Sequence, residues 1–306
     1  MDLTLVVMAA GMSSRFGSLK QITPVDEDGN FIMDYSIHDA ICAGFKKIVF
    51  VIKEEYLEVF QNTIGKRISD KIEVCYAFQK IEDIPLSLDI SKRSKPWGTV
   101  QAILASKAYV DGSFVLINAD DFYGPKSFLA AAKFLRENQN SYTYANISYA
   151  FGTTKSLKGA VKRGVLTLDG DQIKLMIECS IDEEAGKIVA TPLNGKKPFE
   201  MEENHPVSMN FFAFQKDIYE ILEEYWENYF KQDESQILEN EVLLPECLNE
   251  YIANGQITIL NQPSKSIWLG MTYKEDLHVV KTNIQVLKDE EKLYKQHLWE
   301  DFSGNE

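Results

Sequence analysis

Leu3-Thr-Leu-Val-Val-Met-Ala-Ala-Gly-Met-Ser-Ser-Arg15-Phe-Gly-Ser-Leu-Lys20-Gln-Ile-Thr-Pro24 decides how the chain is read. An apolar run from Leu3 to Met8 ends abruptly in small residues, and two cations, Arg15 and Lys20, follow shortly after Gly11. This is what a nucleoside triphosphate needs. A buried strand gives a rigid base, and small residues let backbone N–H groups approach phosphate without side-chain clash. Arg then neutralises oxygens through a planar fork and Lys as a point charge. A plain strand-to-loop turn is the structural alternative. Two commoner phosphate loops are excluded. A Walker loop places Lys-Ser or Lys-Thr after its second glycine, whereas Gly17 is followed by Ser-Leu-Lys-Gln. A dinucleotide fingerprint needs three glycines and an acid about 20 residues on, but only Gly11 and Gly17 stand here, and the next strand ends late, at Lys53-Glu54-Glu55.

The 306 residues suffice to bury roughly 75% of the unfolded surface. With 45% hydrophobic and 25% charged residues, the chain has the make-up of an ordinary globular protein. A net charge of −14 argues against nucleic acid or an anionic membrane as the main partner. Local charge from Arg15, Lys20 and a divalent metal would hold phosphate despite it. The cysteines (Cys42, Cys75, Cys179, Cys247) are scattered and read as reduced core residues of a cytoplasmic protein. The histidines (His38, His205, His278, His297) lack metal-ligand spacing. The apolar stretch at Leu3 is too short for a signal peptide, and no segment reaches the ~20 apolar residues of a membrane helix.

Up to about residue 140 the pattern alternates strand and helix. Strands are expected over 3–8, 47–52, 73–78 and 114–118, with helices over 33–43, 55–64, 99–109 and 125–137. Such alternation predicts a mostly parallel central sheet with helices on both faces. Beyond Ser141 the rhythm becomes β-rich, with a hairpin over 164–178 turning at Asp169-Gly170, a strand over 207–214 and a last long helix over 274–297. The expectation is one α/β domain: a nucleotide-binding half (1–140), an acceptor-binding half (141–272) and a helical tail (273–306).

Phe114-Val-Leu-Ile-Asn-Ala-Asp120-Asp121-Phe-Tyr-Gly124 is a buried strand ending in adjacent carboxylates. Ligands of open parallel sheets bind at the carboxyl ends of strands. Asp120 and Asp121 would there meet the phosphates and hold Mg²⁺, a hard cation satisfied by oxygen. An Asx turn or a helix cap before Pro125 is the structural reading of the same pair. Tyr76-Ala-Phe-Gln79 presents an amide at a strand end, able to donate to and accept from a base edge. In Lys95-Pro-Trp-Gly98-Thr99 a glycine at a helix start would let a ring lie flat against backbone. A solvated loop is the alternative for Gln79.

Taken in order, these residues resemble a family. Met8-Ala-Ala-Gly-x-x-x-Arg15…Lys20, Gly98-Thr-x-Gln-Ala, Asn-Ala-Asp120-Asp121, Arg163-Gly164-Val with Ile177-Glu178, and Val207-Ser-Met-Asn-Phe-Phe-Ala-Phe214 are similar to the sugar-1-phosphate nucleotidyltransferases. The resemblance spans about residues 3 to 280 and implies a Rossmann-like, glycosyltransferase-A type sandwich. It implies that Ala9, Ala10 and Gly11 hold nucleotide by backbone, that Arg15 and Lys20 bind the triphosphate, and that Gln79, Gly98 and Thr99 line the nucleotide site. Asp120 would hold the metal, and Gly164, Glu178 and Asn210 the acceptor. The expected reaction is Mg²⁺-dependent transfer from UTP or dTTP to a sugar 1-phosphate, releasing pyrophosphate.

Three departures qualify the match. The run from Arg15 to Lys20 is short, as in cytidylyl- and molybdopterin-guanylyl-type members. Glu178 is followed by Cys179-Ser180 where many relatives have Lys-Pro. Gly270, after Trp268, stands where relatives place a second metal-binding Asp. The alternatives are a cytidylyltransferase acting on a non-sugar phosphate such as phosphocholine, and a non-catalytic binder of nucleotide or sugar phosphate.

Overall fold

The first strand is apolar at all but one position, so both of its faces require cover. In a computed structural model, which describes residues 2–11, 22–86, 88–91, 93, 95–156, 159–184, 186–271, 276–300 and 302, they receive it. Leu3, Leu5 and Val7 of β1 (Leu3–Met8) point into one layer and Val6 into the other. The first half continues with α1 (Ile32–Cys42), β2 (Phe45–Ile52), α2 (Leu57–Phe60), α3 (Lys66–Ile68), β3 (Glu73–Phe78), α4 (Thr99–Ala105), β4 (Phe114–Asn118), β5 (Asp121–Phe122) and α5 (Pro125–Glu137). Then follow β6 (Thr143–Ala150), β7 (Val161–Asp169), β8 (Gln172–Glu184), β9 (Lys187–Pro192), β10 (Phe199–Met201), β11 (Pro206–Phe214), α6 (Ile218–Tyr229), α7 (Glu234–Glu239), α8 (Leu244–Ala253), β12 (Thr258–Pro263), β13 (Leu269–Gly270) and α9 (Asp276–Asp289).

One continuous sheet runs β10-β9-β8-β12-β6-β11-β4-β1-β2-β3, with β7 pairing β11 and β8. Its first four strands are parallel, β4 beside β1, β1 beside β2, and β2 beside β3. From β11 onward the expectation of a mostly parallel sheet fails. β11 runs antiparallel to both β4 and β6, and β7 to β10 form an antiparallel series. The sheet is therefore mixed. The physical reason lies in the connections: β7–β8 and β8–β9 close through short turns at Gly170 and Gly186 (φ +60° and +77°), too short for the crossover a parallel pair needs.

Helices α1 and α5 cover one face, with Met33, Ile37, Phe128 and Leu135 in its core. Helices α4, α6 and α8 cover the other, with Val100, Ile103, Ile218, Leu222 and Leu248. The last helix is shorter than expected: α9 stops at Asp289 and the chain folds back against α1. There Lys288 Nζ lies 3.0 Å from Asp26, Tyr294 donates to Asp39 (2.8 Å) and Trp299 donates to Asp34 (3.1 Å). Burial pushes the Asp34 carboxyl up to about 7, against the pull of Arg67. Two of the four cysteines, Cys179 and Cys247, are core residues as expected; Cys42 is exposed and Cys75 half-buried. Among the described residues no helix is long and apolar enough to cross a membrane.

Candidate nucleotide and acceptor site

Parallel register aligns the C-terminal ends of the first four strands. Met8 lies level with Asn118 on one side and Val51 on the other. The backbone beyond them is stitched together, since Ala9 N donates to Val51 O (2.8 Å), Ala119 N to Met8 O (3.1 Å) and Gln79 N to Ile52 O (2.9 Å). Over this edge opens a cleft of about 390 Å³ lined by Ala10, Gly11, Gln79, Gly98, Thr99 and Asp120 among others. Gln79 Nε2 donates to Gly98 O at 3.0 Å, which fixes the amide and leaves its Oε1 as an acceptor.

Gly98 caps α4 with φ +101°, and a β-carbon there would stand 2.6 Å from Val242 O. Glycine is required by this backbone approach, a different cause from the flat ring expected from the sequence. Thr99 Oγ1 accepts from Leu244 N (2.7 Å), so the segment after α7 forms a further wall of the cleft.

Asp120 sits in the turn after β4 and faces the cleft. Asp121 goes the other way: it is buried, and its Oδ2 accepts from Asn118 Nδ2 (2.9 Å). As β5 it pairs with Gly270, whose missing β-carbon would lie 2.9 Å from Asp121 Oδ1 and 2.3 Å from the Trp268 indole. A side chain at 270 would require Trp268 and the Asp121 carboxylate to move.

A second cluster stands on the antiparallel half. Gly164 pairs with Glu178 across β7–β8, and the Glu178 carboxylate lies over the glycine, 3.2 Å from where a β-carbon would be. Ser208 borders the same spot; its Oγ accepts from Asn146 Nδ2 (2.8 Å) and Asn210 N (3.3 Å). Asn210 holds φ +58° where the β11–β6 register shifts, and so re-aims its side chain. Burial pushes the Glu178 carboxyl up, partly offset by the charges of Arg163 and Lys162. Arg163 is buried against the Trp268 ring (4.7 Å), and burial draws its pKa down to about 10 although Asp121, Glu178 and Asp276 pull it up. Its Nε and Trp268 Nε1 find no acceptor among the described residues. Tyr123 joins the two clusters: its hydroxyl lies 3.1 Å from Asp121 Oδ2, 2.9 Å from Met209 O and 3.2 Å from Asn118 N.

The family model for nucleotidyl transferases matches residues 5–255. The chain belongs to the nucleotidyltransferase family, and it is an enzyme. No curated protein matches it in sequence. Among solved structures, the inositol-1-phosphate CTP transferase from T. maritima is similar at 15% identity and TM-score 0.63, covering 94% of this chain and 96% of that one. A putative glucose-1-phosphate thymidylyltransferase from Bacillus anthracis, in complex with a sucrose, is similar at 12% identity and TM-score 0.61, covering 92% and 94%. A UDP-glucose pyrophosphorylase complexed with UDP-glucose is similar at 17% identity and TM-score 0.58, covering 93% and 99%. The likeness shows a shared mixed α/β fold.

In this nucleotidyltransferase, Ala10, Gly11, Gln79, Gly98, Thr99 and Asp120 come together in one cleft, and Gly164, Glu178 and Asn210 in one cluster. Ala9 lies behind the cleft with its N–H committed to β2, leaving Ala10 and Gly11 to face a ligand. Arg15 and Lys20 lie outside the described residues. Among the described residues no group of three or more His, Cys, Asp or Glu is arranged to hold a metal. Sequence reasoning missed Glu241 and Leu243, which also line the cleft. Glu241 stands before the short apolar run Val242-Leu243-Leu244, which reads as core, so only the fold brings it to Gly98.

Proposed function

We propose that this nucleotidyltransferase joins a nucleoside triphosphate, UTP or dTTP by preference, to a sugar 1-phosphate, giving an NDP-sugar and pyrophosphate with Mg²⁺ as cofactor. The observation that carries the reading is the Tyr123 junction. It ties the floor of the nucleotide cleft at Asn118 to Met209, next to Asn210 of the acceptor cluster. The names of the similar structures pair CTP, a thymidylyl group or UDP with inositol 1-phosphate, glucose 1-phosphate or glucose. The base preference rests on Gln79: with Nε2 committed to Gly98, its Oε1 suits the N3–H of uracil or thymine.

The oxygen donors fit a hard cation. Asp120 offers a carboxylate in the cleft, and Mg²⁺ typically takes one or two carboxylates and completes its shell with phosphate oxygen and water. When bound, Mg²⁺ would neutralise charge on the triphosphate oxygens. Lys20 and Arg15 would bind those oxygens, and Ala10 and Gly11 would let backbone approach them. The acceptor phosphate has a second pKa near ~6, so its oxygen is already a nucleophile at neutral pH and needs no general base. The protein then contributes orientation and fixed charge.

One observation favours a second reading. Glu178 has no cation within ion-pair distance among the described residues, and Cys179 replaces the lysine found next in many relatives. A cationic acceptor such as phosphocholine would suit that carboxylate. Pyrophosphate release across UTP, dTTP, CTP, GTP and ATP, each with a panel of sugar phosphates and phosphocholine, separates the readings. Release with UTP or dTTP and a sugar 1-phosphate is expected. Tight nucleotide binding with no release from any pair would make the protein a non-catalytic binder.

A further inference from the structure

The wall that the sequence hid is built rigidly. Val242 N donates to Trp97 O (2.7 Å), Val100 N donates to Val242 O (3.1 Å), and Gly98 has no β-carbon to keep the two strands of chain apart. Behind it, the Arg93 guanidinium stacks on Trp97 (3.7 Å) and donates to the carbonyls of Ile237, Leu238, Asn240 and Pro96. Four carbonyls on one guanidinium hold the approach to residue 241 in place. Glu241 is thus an exposed carboxylate on a fixed backbone, lining the cleft beside Gly98 and Thr99.

An ionised carboxylate only accepts hydrogen bonds. A uracil or thymine ring has one donor, N3–H, flanked by two carbonyl oxygens that repel a carboxylate, and the Gln79 Oε1 is available to it. The remaining donors of such a nucleotide are its sugar hydroxyls. We infer that Glu241 accepts from the ribose hydroxyls of the nucleotide and thereby makes the enzyme favour UTP over dTTP. This rests on the reading of the cleft as a uracil- or thymine-nucleotide site, and it adds the choice between ribose and deoxyribose. A ribose offers the carboxylate two hydroxyls, a deoxyribose one.

The test compares UTP with dUTP, which differ only at the 2′ position, on the full-length wild type, Glu241→Gln and Glu241→Ala. The wild type should show a UTP/dUTP ratio in kcat/KM of about ten, the size of one charge-assisted hydrogen bond. That ratio should fall toward one in Glu241→Ala. A wild-type ratio near one, or a ratio unchanged in both variants, overturns the assignment. So does a wild-type preference for CTP, GTP or ATP that Glu241→Ala erases, since the carboxylate would then be reading an exocyclic amine. Calorimetric binding of UTP and dUTP to the same proteins needs no turnover. Equal affinities in wild type and Glu241→Ala would sink the assignment even if no acceptor were ever found, whereas discrimination without pyrophosphate release would keep Glu241 and remove the transferase reading.

Discussion

The two halves of the sheet build their sites from different material. On the parallel half, β1 to β4 end together and present backbone: Ala10 and Gly11, the Gly98 carbonyl that fixes Gln79, and a turn that carries Asp120. On the antiparallel half, β7, β8 and β11 present side chains from their faces: Glu178 over Gly164, Ser208 beside it, Asn146 and Asn210 bonded to Ser208. A backbone-lined cleft suits the triphosphate of the proposed reaction. A side-chain-lined cluster suits its acceptor. Substitutions should therefore act differently on the two sides, through charge and chain geometry on the first and through acceptor affinity on the second.

The largest effect belongs to Asp120. Asp120→Ala should abolish pyrophosphate release, while Asp121→Ala, whose buried carboxylate turns away from the cleft toward Asn118 and Gly270, should leave the Mg²⁺ concentration for half-maximal rate unchanged, against the expectation from sequence that both acids hold the metal. A Mg²⁺ titration of both variants checks this, and a raised Mg²⁺ requirement in Asp121→Ala would put that residue at the metal after all. Lys20→Ala should lower turnover by roughly 10²–10³ in a folded protein, the cost of one lost charge-stabilising donor. Wild-type turnover in that variant would remove Lys20 from the mechanism.

Gly98→Ala comes next. Its β-carbon would meet Val242 O at 2.6 Å with φ held at +101°, so a loss of roughly 1–3 kcal/mol in stability is expected. Denaturant unfolding measures it, alongside a weakened affinity for nucleotide but not for acceptor. A loss confined to the acceptor would break the division of labour between the halves.

The smallest effect is distant from both sites. Burial lowers the His38 pKa, but hydrogen bonds to Asp39 and Cys42 outweigh it and bring it up to about 9. A histidine with a raised folded pKa contributes stability that is fully present below its ordinary value of about 6.5 and lost as pH rises through about 9. Linkage sets a ceiling of about 3 kcal/mol on this contribution. Thermal unfolding followed from pH 6 to 10 should show the decline, and His38→Gln should flatten it.

Much of the parallel half could be read from the chain alone, because β1 and β4 are continuous apolar runs and Pro125 marks the start of α5. The antiparallel half was less legible. β9 and β10 are short and their burial follows no alternation, so no period marks them, and α7 is a six-residue helix in a polar stretch. Pairing of Asp121 with Gly270 depends on chain 149 residues away, and it accounts for a glycine at that position. The close approach of Val242 that excludes a β-carbon at Gly98 is invisible to local sequence. Asn210 was picked out by its motif, but its left-handed backbone is a property of the β11–β6 register.

The central claim is that an acceptor phosphate, held by the antiparallel half, attacks the α-phosphorus of a nucleotide held by the parallel half. UTP labelled at the α-phosphorus, incubated with Mg²⁺ and a panel of sugar 1-phosphates, tests this directly. Label should move into a new nucleotide-sugar only when an acceptor is present, one pyrophosphate should appear per label transferred, and Asp120→Ala should stop both. Label released as UMP or UDP at the same rate with and without acceptor would contradict the account.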